Sequence, residues 1–120
     1  LEARGYAQNG TIDYCHKNNI LVTAYRPLNK GEILLSDAPV LKEMSNKYNK
    51  TPAQISLNWL ITQPNIVTLF KASNPAQITE NIGATGWELQ KEDLDRLTKE
   101  FPVGKTMWVQ DRPANRVKLA

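Results

Sequence analysis

The sequence predicts an α/β fold with a parallel sheet, and three observations carry that reading. Residues 20–25 (ILVTAY) and 66–70 (IVTLF) are aliphatic, β-branched and aromatic with almost no polar face, the composition of strands covered on both sides by helices. Proline-marked starts and apolar residues at helical spacing punctuate the rest. The stretch between the two runs holds helices, so it serves as the long crossover that parallel strands require.

Taken in order, Thr11 is a capping residue for a short helix over about 11–18, with Ile12 and Cys15 three apart and Asn18-Asn19 as its stop. The first strand follows at about 20–25 and stops at Arg26-Pro27. Pro27, Asn29 and Gly31 mark a loop, after which Val40, Leu41, Met44 and Tyr48 set the inner face of a helix over about 37–48. Thr51-Pro52-Ala53-Gln54 combines a cap, a proline where the first amide needs no helical partner, and a glutamine three residues after the cap, so a helix over about 52–62 starts there. Ile55, Leu57, Trp59, Leu60 and Ile61 leave that helix little polar surface, which predicts burial.

Gln63-Pro64-Asn65 then leads into the second strand at about 66–70. Asn74-Pro75-Ala76-Gln77 repeats the cap, proline and glutamine pattern and opens a helix over about 75–83, with Trp87 placed to cover a helix end. A last helix over about 91–100 has Glu92 and Asp93 in its first turn, where the helix dipole favours anions, and Leu94 and Leu97 inward. Residues 101–120 show no period and read as an extended carboxy-terminal tail with one aromatic plug, Trp108. The whole of 1–120 reads as a single partial domain, because two strands do not make a sheet covered on both faces.

Composition agrees and excludes several classes. With 41% hydrophobic and 22% charged residues the chain is ordinary globular material. Its net charge of +3 arises in the last twenty residues, where Lys105, Arg112, Arg116 and Lys118 face Asp111. That small basic tail lacks aromatic interleaving and reads as solvated surface, so no nucleic-acid partner is expected. No apolar run approaches the roughly 18 residues of a membrane span. A lone Cys15 forms no internal bridge and no secretory signal is visible, which points to a reducing, cytoplasmic setting. His16 and Cys15 have no metal-ligand spacing around them and read as surface and packed residues, with no metal site; Met44, Trp59 and Leu60 read as core.

In parallel α/β folds ligands sit beyond the carboxyl ends of the strands. Residues 25–30 and 71–74 are therefore the positions of interest, and Lys71 before a helix start is suited to an anion such as a phosphate.

Three segments together resemble the aldo-keto reductase family: residues 20–28 (ILVTAYRPL), residues 51–60 (TPAQISLNWL), and Lys71-Ala72-Ser73-Asn74 with Glu80-Asn81. Their order resembles the seventh strand, seventh helix, eighth strand and eighth helix of that family's (β/α)8 TIM barrel. The resemblance implies the carboxy-terminal, cofactor-binding part of an NADPH-dependent reductase of aldehydes or ketones, with NADH possible as cofactor. It implies that Tyr25 stacks on the nicotinamide, Leu28, Asn29 and Lys30 lie along the pyrophosphate, Lys71, Ser73 and Asn74 surround the adenosine ribose and its 2′-phosphate, and Glu80 and Asn81 meet the adenine. Trp108 falls in a loop that borders the substrate in this family.

Two departures bear on cofactor choice. The family commonly has serine where Ala72 stands and arginine where Gln77 stands, and glutamine lacks the charged fork that grips a 2′-phosphate. The family's catalytic residues lie on earlier strands, so this chain is expected to hold none and to be inactive alone, its partners being the missing amino-terminal barrel segments and a small carbonyl substrate. The competing reading is a non-catalytic regulatory module that binds a nicotinamide dinucleotide.

Overall fold

The structure, a computed structural model, describes residues 10–25, 27 and 38–100. Its elements are α1 (Thr11–Lys17), β1 (Val22–Tyr25), α2 (Pro39–Tyr48), α3 (Pro52–Ile61), β2 (Ile66–Leu69), α4 (Pro75–Ile82) and α5 (Lys91–Glu100). The expected helices and strands are all present, most of them trimmed by a residue or two at an end. The expected tail at 101–120 and the proposed start of the second helix at Asp37 lie outside the described residues.

Local chemistry explains the boundaries. At α3, Thr51 Oγ1 accepts from the Gln54 amide and Gln54 Oε1 accepts from the Thr51 amide, so two amides without helical partners are satisfied reciprocally. Asn49 after α2 and Asn65 before β2 adopt φ of 52° and 58°, the left-handed region that asparagine tolerates better than most residues. At α1 the cap is Gly10 and not Thr11, which is the first helical residue; Gly10 at φ 79° makes a turn that a residue with a Cβ adopts only with strain.

β1 and β2 pair in parallel, with Val22 opposite Ile66 and Tyr25 opposite Leu69. Their burial differs from the expectation of two covered faces. Thr23, Tyr25, Val67 and Leu69 share one face and are exposed, while Val22, Ala24, Ile66 and Thr68 on the other are half-buried. The cause is the number of layers. α3 packs on β2 and supplies one cover, and among the described residues nothing covers the second face, although its composition is that of a buried one.

The core sits in the helical layer. Val40, Leu41 and Met44 of α2 meet Ile55, Trp59 and Leu60 of α3 and Leu97 of α5, with Leu89 from the segment before α5. α3 is buried at every position from Ile55 to Leu60 because α2, α4 and β2 all pack on it. That includes Asn58, whose amide nitrogen donates to the Ala84 and Trp87 carbonyls at 2.9 and 2.8 Å and whose oxygen accepts from the Leu89 amide at 3.3 Å. All three partners lie in the connection between α4 and α5, so one side chain shapes that segment.

Asp93 forms a second polar anchor. Buried at the start of α5, it accepts from Lys47 Nζ at 2.8 Å and from the Tyr48 hydroxyl, which itself accepts from the Gln90 amide at 3.0 Å. Burial pushes the Asp93 carboxyl up, but the hydrogen bonds from Lys47 and Tyr48 outweigh it and hold the group below its ordinary value. Burial and the bond to Asp93 both keep the Tyr48 hydroxyl protonated beyond its usual range.

Because the folded carboxyl is the stronger acid, its contribution to stability is present above the unfolded pKa of about 4 and is lost as pH falls through the folded value. Melting temperature measured between about pH 5 and 2 should fall less steeply in Asp93→Asn than in the unsubstituted protein, with the variant already less stable at pH 7. Parallel curves for the two proteins would remove Asp93 from the account of acid sensitivity.

Candidate functional site

Parallel pairing brings the carboxyl ends of both strands to one edge of the molecule. Tyr25 is the last residue of β1, lies opposite Leu69 and is 53% exposed. Lys71 follows Leu69 by two residues and is exposed, so at about 3.3 Å per extended residue it leaves the same edge within roughly 7 Å along the chain. The two positions singled out in the sequence therefore follow strand ends that lie at the same edge of the sheet.

From Lys71 the backbone turns into α4. Asn74 caps that helix, its Oδ1 accepting from the Gln77 amide at 3.0 Å. Gln77 returns the contact one residue further out, its Oε1 accepting from the Ser73 amide at 2.6 Å. Two N–H groups at this helix start, those of Ser73 and Gln77, are thus satisfied within the chain. Gln77, Glu80 and Asn81 follow at helical spacing and form one stripe continuing from Ser73 and Asn74. Along it, Gln77 is exposed, Glu80 half-buried and Asn81 buried, leaving Asn81 the least surface for a ligand.

Of the remaining expected site residues, Leu28, Asn29, Lys30 and Trp108 lie outside the described residues. Trp87 covers the end of α4 as expected, its indole N–H donating to the Gly83 carbonyl at 2.9 Å. Among the described residues no cluster of His, Cys, Asp and Glu is arranged to hold a metal ion, and no helix is long and apolar enough to cross a membrane.

Sequence reasoning overlooked the groups that hold this stripe in place. Gln54, assigned only a capping role, also donates from Nε2 to the Glu80 carbonyl at 2.9 Å. Asn58 passed unremarked. The available signal was an amide inside the apolar run ISLNWLI, where a polar side chain survives burial only with its hydrogen bonds made.

The model of the Aldo/keto reductase family matches residues 3–100. This chain belongs to that family. Aldose reductase B of Dictyostelium discoideum is 38% identical over 98 residues, covering 81% of this chain and 31% of that protein. A probable NAD(P)H-dependent D-xylose reductase of Aspergillus flavus is 32% identical over 117 residues, covering 82% of this chain and 36% of its own. Among solved structures, an aldo-keto reductase from Klebsiella pneumoniae in complex with NADP and acetate superposes with a TM-score of 0.75 at 26% identity, over 85% of this chain and 37% of that one. The chain thus spans about a third of the length of the aldo-keto reductases it matches.

Proposed function

We propose that this chain is the dinucleotide-holding, carboxy-terminal part of a (β/α)8 aldo-keto reductase that reduces aldehydes or ketones to alcohols with NADPH, NADH being a second possible cofactor. The observation that carries the reading is the parallel register, which ends β1 at Tyr25 opposite Leu69, two residues before Lys71. The exposed apolar face of Thr23, Tyr25, Val67 and Leu69 supports the barrel assignment, because inward-pointing strand residues of such a barrel pack in layers against those of the other strands. The remaining strands are the partner that face requires, and the reading places the protein in the reducing cytoplasm, with no role on nucleic acid or membrane.

A bound nicotinamide dinucleotide supplies the hydride that adds to the carbonyl carbon. The side chains of this chain bind and orient it. Tyr25 offers an aromatic face to the nicotinamide ring, with its hydroxyl left at the wet edge. Lys71 places a cation where Ser73 and Asn74 begin the α4 stripe, and an ammonium attracts phosphate as a point charge. Leu28, Asn29 and Lys30 belong to the pyrophosphate side, Glu80 and Asn81 to the adenine, Gln77 to the rim of the ribose, and Trp108 to the substrate wall. The groups that move the proton to the carbonyl oxygen lie on strands outside this chain, so residues 1–120 alone are expected to be inactive.

Tryptophan fluorescence during NADPH titration tests the assignment on the protein as encoded. Saturable quenching is expected, weakened about tenfold or more in Lys71→Ala, since a lost hydrogen bond between charged groups amounts to roughly 1.5–3 kcal/mol. Absence of any saturable response at millimolar NADPH would overturn the reading. Equal affinity in the lysine variant would remove Lys71 from the site.

A further inference from the structure

α4 is exposed along most of its length, with Asn81 its one buried residue. Within the described residues its apolar contacts are few, and the polar links to α3 are the share of its placement that this chain supplies. Gln54 and Asn58 stand one turn apart on the same side of α3. Gln54 Nε2 donates to the Glu80 carbonyl in the last turn of α4, and Asn58 holds the Ala84 and Trp87 carbonyls just beyond. Helix ends leave carbonyls without helical partners, and here the neighbouring helix supplies a donor. Gly83 permits the approach, since a Cβ there would collide with Gln54 Nε2.

We infer that Gln54 is a positioning residue for the adenosine half of the dinucleotide: through the Glu80 carbonyl it fixes α4, and with it the stripe Ser73, Asn74, Gln77 and Glu80, without touching the ligand. This rests on the reading of that stripe as the adenosine end. The inference separates two functions of one side chain. The oxygen of Gln54 caps α3 through the Thr51 amide, and its nitrogen holds α4. The first is a stability role confined to α3, and the second reaches the site.

Two variants isolate the second function. Gln54→Glu keeps the acceptor for the Thr51 amide, so the α3 cap survives, and loses the donor to Glu80. Gly83→Ala leaves residue 54 and its charge unchanged, at a backbone conformation alanine accepts readily, and displaces the amide by contact. In the protein as encoded, calorimetric titration with adenosine 2′,5′-bisphosphate and with reduced nicotinamide mononucleotide reads the two halves separately. Both variants are expected to bind the bisphosphate about five- to tenfold more weakly, the order of one net hydrogen bond, with binding of the mononucleotide unchanged.

Loss of both ligands in parallel would reduce Gln54 to a general structural role and overturn the inference. Unchanged bisphosphate binding in either variant would do the same; weakening confined to Gln54→Glu would assign the effect to its added negative charge. An unsubstituted protein that fails to bind adenosine 2′,5′-bisphosphate would instead overturn the underlying assignment of the stripe.

Discussion

Asn58→Leu is expected to destabilise the protein by about 3 kcal/mol or more, against a total of about 5–15 kcal/mol for a typical domain. Asn58 is 1% exposed and satisfies the carbonyls of Ala84 and Trp87 and the amide of Leu89. Leucine is close in size and keeps the packing, but abandons three backbone groups. Each buried group left unsatisfied costs roughly 1–3 kcal/mol, and partial access of water to the Trp87 carbonyl sets the lower bound. Asn58→Asp should be at least as damaging, because a carboxylate has no donor for the two carbonyls and brings a buried charge.

Urea unfolding at neutral pH measures the difference. A loss below about 1 kcal/mol for the leucine variant would show that the connection between α4 and α5 rearranges to satisfy itself. The comparison that makes the magnitude informative is the pair between Arg96 and Glu43, also interhelical and hydrogen-bonded twice, but with both side chains about half exposed. Solvent screens a surface pair of that kind, so Arg96→Ala should scarcely move the curve.

Much of the element order was legible because its signals are local. A cap, a proline and a glutamine within four residues fix the starts of α3 and α4, and asparagines that tolerate left-handed backbone stop α2 and precede β2. That both strands end at one edge was legible for a different reason. Two short apolar runs with no polar face, joined by a long helical connection, fit parallel strands, and parallel strands end on the same side. Neither inference needs knowledge of distant contacts.

What the sequence concealed depends on pairing across the chain. Asp93 was read as an acid favouring the start of its own helix, yet its partners, Lys47 and Tyr48, stand on α2. Gln54 shows a single capping signal while serving two helices, because the acceptor on Glu80 is a backbone carbonyl and leaves no mark in composition. The burial expected for both strand faces failed in the same way. Apolar composition reports what a face requires, and only the packed layers report what it receives.

Gln77→Arg is expected to raise the preference for NADPH over NADH by about ten- to a hundredfold, the range that corresponds to a charge-assisted hydrogen bond of roughly 1.5–3 kcal/mol. Under the proposed function the two cofactors differ only in the 2′-phosphate beside the start of α4, so a change confined to that phosphate appears in the ratio of their affinities. Gln77 is neutral, and its oxygen is engaged with the Ser73 amide, so under the proposed function the charge beside that phosphate comes from Lys71. A guanidinium adds a planar fork matched to phosphate oxygens. The Asn74 cap survives the substitution because it uses the backbone amide of residue 77, and the Ser73 amide, being exposed, exchanges its partner for water at small cost. The site is open to solvent, so salt should screen the gain, and the ratio measured near 0.5 M salt should lie well below that at low salt. Equal improvement for both cofactors would mark the arginine as a general attractor of anions, and a ratio unchanged within twofold would show that the 2′-phosphate does not rest beside residue 77.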